Sequence, residues 1–220
     1  MNKLLLTLTS ALVAFATVFS AQAQEAKGDA QAGATKNAMC IGCHGIPGYQ
    51  ASFPEVYKVP KISGQGAKYI TAALNAYKKG ERKHPSMRAV SESLSDQDIA
   101  DLAAYYEAHG QGEPVTTTAA AAPSAKAAEL INKGGCVACH GADFNKPIDP
   151  SYPKVAGQHA DYLFVALKAY KAEGHATWGR ANGIMGGIAK QFSTSELKEL
   201  ANYVSTMPGD LKTVPQKKFR

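Results

Sequence analysis

Beyond residue 24 the sequence lacks any stretch apolar enough over the ~20 residues that a bilayer span requires. It lacks basic runs interleaved with aromatic side chains, which argues against a single-strand nucleic-acid binder. No run alternates convincingly between apolar and polar residues, so a strand-rich fold is not expected. Cysteine is scarce too: there are four among 220 residues, and every one falls in the same local pattern. What remains has helical periodicity, Gly- and Pro-rich joints, and enough length for two domains of about 100 residues each.

The one long apolar run lies at the start. Lys3 precedes a run from Leu4 to Phe19, which ends in Ala21-Gln22-Ala23, the layout of a secretory signal with an A-x-A cleavage site. Thr7, Thr9, Ser10 and Thr17 dilute the run and make it a poor anchor. A signal peptide over residues 1–23, cleaved near Ala23, predicts an exported, periplasmic protein. The formal charge of +6 is uneven: residues 24–115 hold ten basic and ten acidic side chains, and residues 116–220 hold thirteen and eight. Lys212, Lys217, Lys218 and Arg220 place part of that excess in a basic C-terminal tail, a docking or solubility feature rather than a nucleic-acid site.

The cysteines specify the chemistry. Cys40-Ile41-Gly42-Cys43-His44 and Cys136-Val137-Ala138-Cys139-His140 both read C-x-x-C-H. Two thiols at this spacing can add to the two vinyl groups of one haem, and the adjacent His is then held beneath the iron. A thioredoxin-like dithiol would need a βαβ setting, and a four-cysteine zinc site would bring the pairs within about 20 residues. Simple disulfides give no reason for His to follow both second cysteines. Two covalently bound haem c groups are therefore expected, held by Cys40, Cys43, Cys136 and Cys139, with His44 and His140 on the irons.

The repeat extends well past the cysteines. Pro60-Lys61-Ile62-Ser63-Gly64-Gln65 matches Pro153-Lys154-Val155-Ala156-Gly157-Gln158, and the register continues through Tyr69, Leu74, Tyr77 and Lys78 against Tyr162, Leu167, Tyr170 and Lys171. A second register pairs Met87 with Met185, Arg82 with Arg180 and Tyr105 with Tyr203. The repeated methionines, Met87 and Met185, are the expected sixth ligands. His84 is a chemically reasonable alternative in the first half, but its counterpart is Asn182. His109, His159 and His175 have no repeated partner and read as surface or packing residues, and Arg82 and Arg180 are candidates for haem propionates. Ser95 with Asp98, and Ser193 with Glu196, mark the start of a closing amphipathic helix in each half. Further helices are expected over Ala67–Lys79 and Ala160–Lys171. The Thr-, Ala- and Pro-rich residues 111–125 read as a linker between domains covering residues 24–110 and 126–220.

Across the whole mature chain these residues resemble the class I cytochrome c fold, and the tandem arrangement is similar to the dihaem cytochrome c4 family. The resemblance implies an all-α fold of two class I cytochrome c domains related by internal duplication. It also implies a periplasmic electron carrier without an open catalytic site, of a kind often loosely associated with the membrane surface. Its partners would be a quinol-oxidising complex and a membrane terminal oxidase. A dihaem peroxidase would need a labile distal ligand, which the repeated methionines oppose. A cytochrome subunit bound permanently to a dehydrogenase stays open on sequence grounds. The segment from His44 to Pro60 is longer than that from His140 to Pro153, so the surroundings of the two haems should differ.

Overall fold

The computed structural model describes residues 26–112, 122–172 and 174–215. The expected signal, most of the linker and the end of the basic tail lie outside the described residues. The first half contains α1 (Ala30–Lys36), α2 (Ala38–His44), α3 (Ala67–Lys78), α4 (Pro85–Glu92) and α5 (Asp96–Ala108). The second repeats the order with α6 (Ala125–Gly134), α7 (Val137–His140), α8 (Ala160–Lys171), α9 (Gly183–Ala189) and α10 (Thr194–Thr206). The all-α expectation holds, with one addition: β1 (Gln50–Ala51) pairs with β2 (Tyr57–Lys58), and β3 (Arg82–Lys83) with β4 (Gly179–Arg180). Ladders of two residues are too short to leave a period-2 signal in the sequence.

The closing helices start where their capping signals stand. Ser95 accepts a hydrogen bond from the Asp98 backbone N–H while Asp98 accepts one from that of Ser95, and Ser193 and Glu196 do the same. Apolar positions at helical spacing then bury Ile99, Leu102, Ala103 and Tyr106 in one half and Leu197, Leu200, Ala201 and Val204 in the other. Each half thus has its own core. Ile70 and Leu94 in the first half match Leu163 and Phe192 in the second, whose core is larger through Leu130, Ile131, Phe144, Ala156 and Met207.

The halves also share polar contacts. Gln65 and Gln158, the last residues of the repeated hexapeptide, are each only 4% exposed and bond across the boundary. Gln65 accepts from the Lys154 N–H (3.0 Å) and donates to the Lys154 carbonyl (2.9 Å). Gln158 makes the same pair with Lys61, at 3.0 and 2.9 Å. The β3–β4 ladder sets Arg82 opposite Arg180. The longer loop of the first half lies on α8, where Lys58 bonds Asp161 through both its N–H and its ammonium, and Glu55 pairs with Lys168 at 2.6 Å.

A strap after α10 closes the arrangement. The Lys212 N–H donates to the Ser63 carbonyl (3.0 Å), its ammonium donates to the Gly110 carbonyl (2.9 Å), and Leu211 is buried. The strap passes so near Gly64 that a Cβ there would lie 2.5 Å from the Asp210 carbonyl oxygen, and Gly64 has a φ of +83° that disfavours any side chain.

Candidate functional site

A cavity of about 760 Å³ runs through both halves and is lined by Cys40, Cys43, His44 and Met87 and by Cys136, Cys139, His140 and Met185. All eight residues singled out by motif and repeat therefore face one continuous space. The four cysteines form no disulfide with one another.

The two histidines are held alike. His44 Nδ1 lies 2.8 Å from the Pro60 carbonyl and His140 Nδ1 lies 3.0 Å from that of Pro153. A carbonyl can only accept, so Nδ1 carries the proton in each ring and Nε2 keeps its lone pair for a metal. Burial lowers the pKa of both rings and favours this neutral form. Phe144 stacks on His140 with an interplanar angle of 6°.

The methionines sit in matching frames. Met87 lies in the first turn of α4, where its N–H donates to His84 Nδ1 at 3.3 Å; Met185 lies in the first turn of α9 and donates to Asn182 Oδ1 at 2.9 Å. His84 and Asn182 are thus the N-caps of equivalent helices, and an imidazole nitrogen replaces the amide oxygen in the first half. Their place before a methionine at N3 is the signal that could have shown this. Of the remaining histidines, His109 stacks on Tyr105 at 4.7 Å and hydrogen-bonds Ser63, while His159 is pushed down to about 4 by burial and the nearby Lys61.

Arg82 and Arg180 line the cavity as well. Arg82 stands 5.2 Å from the Tyr69 ring and 5.8 Å from that of Tyr77, and donates to the Tyr69 hydroxyl at 3.0 Å. Arg180 repeats this with Tyr162 (5.6 Å) and Tyr170 (5.3 Å), donating to the Tyr162 hydroxyl at 2.9 Å. Among the described residues neither guanidinium has a carboxylate partner, so the pair leaves positive charge beside the cavity. Unpaired thiols, histidines with a free Nε2, facing methionines and uncompensated arginines together suit a haem, which brings vinyl groups, iron and carboxylates.

Known proteins point the same way. The family model for cytochrome c matches twice, over residues 26–108 and 124–208. The chain is 32% identical to cytochrome c4 of Azotobacter vinelandii over 221 aligned positions, covering 93% of this chain and 98% of that one. It is 30% identical to a thiosulfate dehydrogenase electron acceptor of Stutzerimonas stutzeri, covering 87% and 91%. The crystal structure of reduced recombinant cytochrome c4 from Pseudomonas stutzeri superimposes with a TM-score of 0.62 at 29% identity, over 82% of this chain and 99% of the other. Two family matches, one on each C-x-x-C-H motif, mean two covalently bound haem c groups whose role is electron transfer, and the chain belongs to the cytochrome c family as a dihaem member of its cytochrome c4 branch.

Proposed function

We propose that the protein is a periplasmic carrier in which His44 and Met87 ligate one haem iron and His140 and Met185 the other. Cys40 and Cys43 form the thioether links of the first haem, and Cys136 and Cys139 those of the second. The observation that carries this reading is the repeated frame: a His oriented by a proline carbonyl, and a Met in the first turn of a capped helix, twice about one cavity. When bound, each haem supplies a one-electron couple, and a thioether ligand shifts that couple toward oxidising potentials. With both axial positions taken by side chains, no position stays open for a substrate, and the protein passes electrons without catalysing a reaction. Arg82 and Arg180 neutralise haem propionates, since buried charge needs a counter-charge. The signal over residues 1–23 directs export, and peripheral contact with the membrane fits delivery of electrons from a quinol-oxidising complex to a terminal oxidase.

A second donor is favoured by the similarity to a thiosulfate dehydrogenase electron acceptor: a dehydrogenase that hands electrons to this chain. Electron delivery from each donor, followed by reduction of the haems in stopped flow, separates the two.

Optical spectra of the purified protein test the ligand assignment. Two haems per chain by pyridine haemochrome, a weak far-red ferric band from sulfur on iron, and no carbon monoxide binding on reduction are expected. A missing far-red band, or a high-spin haem that binds carbon monoxide, overturns Met87 or Met185 as a ligand.

A further inference from the structure

The crossed glutamine contacts reach further than the interface. Pro60 C=O and Lys61 N–H belong to one peptide group, a planar resonant unit. Its oxygen accepts from His44 Nδ1 at 2.8 Å, and its N–H donates to Oε1 of Gln158, from the other half, at 3.0 Å. The Pro153–Lys154 peptide is bonded in the same way: its oxygen faces His140 Nδ1 at 3.0 Å and its N–H donates to Gln65 Oε1 at 3.0 Å. An acceptor on the N–H side polarises the amide and makes its oxygen more negative, so bonds at the two ends strengthen one another. A stronger acceptor at Nδ1 makes the imidazole a better donor through Nε2.

We infer that each half tunes the haem of the other: Gln158 acts through the Pro60–Lys61 peptide on His44, and Gln65 acts through the Pro153–Lys154 peptide on His140. Both glutamines are positioning residues. The arrangement binds each imidazole's basicity to the docked state of the two halves, because undocking removes the distant acceptor. The side-chain amide also donates back to the next carbonyl, at 2.9 Å in both copies, which fixes the orientation of Oε1 toward the N–H. This inference rests on His44 and His140 being axial ligands.

The test uses the full-length dihaem protein with Gln158→Leu, Gln158→Glu and Gln65→Leu. A less basic imidazole stabilises the ferric state less, so Gln158→Leu should raise the potential of the haem at Cys40 and leave that at Cys136 in place. The expected shift is severalfold in the ferric–ferrous equilibrium and below about tenfold, which is 59 mV for one electron. Gln158→Glu keeps an acceptor for the Lys61 N–H, and should return that potential to the original value or below it. Gln65→Leu should raise the haem at Cys136 alone. Paramagnetic NMR of the ferric protein, with each haem assigned through its cysteine β-protons, reads the same pattern in the axial histidine resonances. Equal shifts at both haems, a shift confined to the mutated half, or no shift overturns the inference; if Gln158→Leu does not mature, Gln65→Leu and Gln158→Glu decide it. Failure of the histidine assignment is recognised separately, in the unsubstituted protein, by the absence of strongly shifted axial histidine resonances in the NMR spectrum or by fewer than two haems.

Discussion

In the first half, α1 reaches α5 through Gly33 and a buried carboxylate; in the second, α6 reaches α10 through Leu130 and Ile131. The sequence of α1, Ala-Gln-Ala-Gly-Ala-Thr-Lys, has no large apolar side chain, and Gly33 is its one buried residue. The backbone compensates by approach: a Cβ on Gly33 would stand 2.2 Å from the Asp101 carbonyl oxygen. Asp101 is 2% exposed and accepts from the Asp29 N–H (2.9 Å), the Gln97 amide (2.8 Å) and the Lys36 ammonium (2.6 Å). Its counterpart Glu199 instead accepts one bond, from the Ser124 hydroxyl at 2.8 Å. The same topology is thus held by close packing and an ion network on one side and by buried area on the other. The fold needs the helix in place, and either kind of contact will put it there.

The contrast between the halves is tested most forcefully in the second. Leu130 is fully buried, and Leu130→Ala removes a side chain with no substitute nearby, at a cost of about 2–5 kcal/mol. Denaturant unfolding followed through near-UV dichroism should show the loss; a change under about 1 kcal/mol would mean that α6 does not depend on this anchor. In the first half, Gly33→Ala forces α1 away from α5 and should cost about 1–3 kcal/mol. The same substitution at exposed Gly48 meets no neighbour within 4 Å, which makes it a control for contact; its φ of +75° adds only local strain. Smaller again, Asn182→Ala removes the cap of α9 and should cost about 1 kcal/mol. His84→Asn exchanges one cap acceptor for another, and should stay within about 0.5 kcal/mol by thermal unfolding.

The smallest expected effect is acid sensitivity. The hydrogen bond from Lys36, aided by the Asp29 N–H and Gln97, holds the Asp101 carboxyl below its ordinary value of 3.8. A depressed folded-state pKa gives stability that is present above the unfolded value and lost as the pH falls through the folded one. Stability should therefore decline as the pH falls below about 4, and Asp101→Asn should flatten that decline in thermal unfolding across pH 5 to 2. An unchanged pH profile in the variant would remove Asp101 from the account.

Much of the candidate site could be read in advance because covalent haem attachment imposes a local pattern. C-x-x-C-H needs no tertiary information, and duplication singled out Met87 and Met185 from five methionines. Capping signals and helical spacing likewise located α5 and α10, since both act within one or two turns. Gln65 and Gln158 were equally visible as repeats, yet their partners lie 89 and 97 positions away, and nothing local distinguishes an interface glutamine from a solvated one. His84 looked like a possible ligand because its chemistry allows it; in the structure its Nδ1 caps α4 while its Nε2 is buried without a hydrogen-bond partner, and only the repeat, with Asn182 as its counterpart, favours Met87.

The cofactor class, the number of sites, the candidate ligand pairs and the helical character of each half were all legible in the chain, because these rest on short-range chemistry and on repetition. The β3–β4 pairing, the strap across Ser63, the docking of the longer loop on α8 and the crossed glutamines emerged with the tertiary structure alone. Those contacts depend on where the two halves meet, and that geometry is set by the fit of distant surfaces rather than by any local propensity.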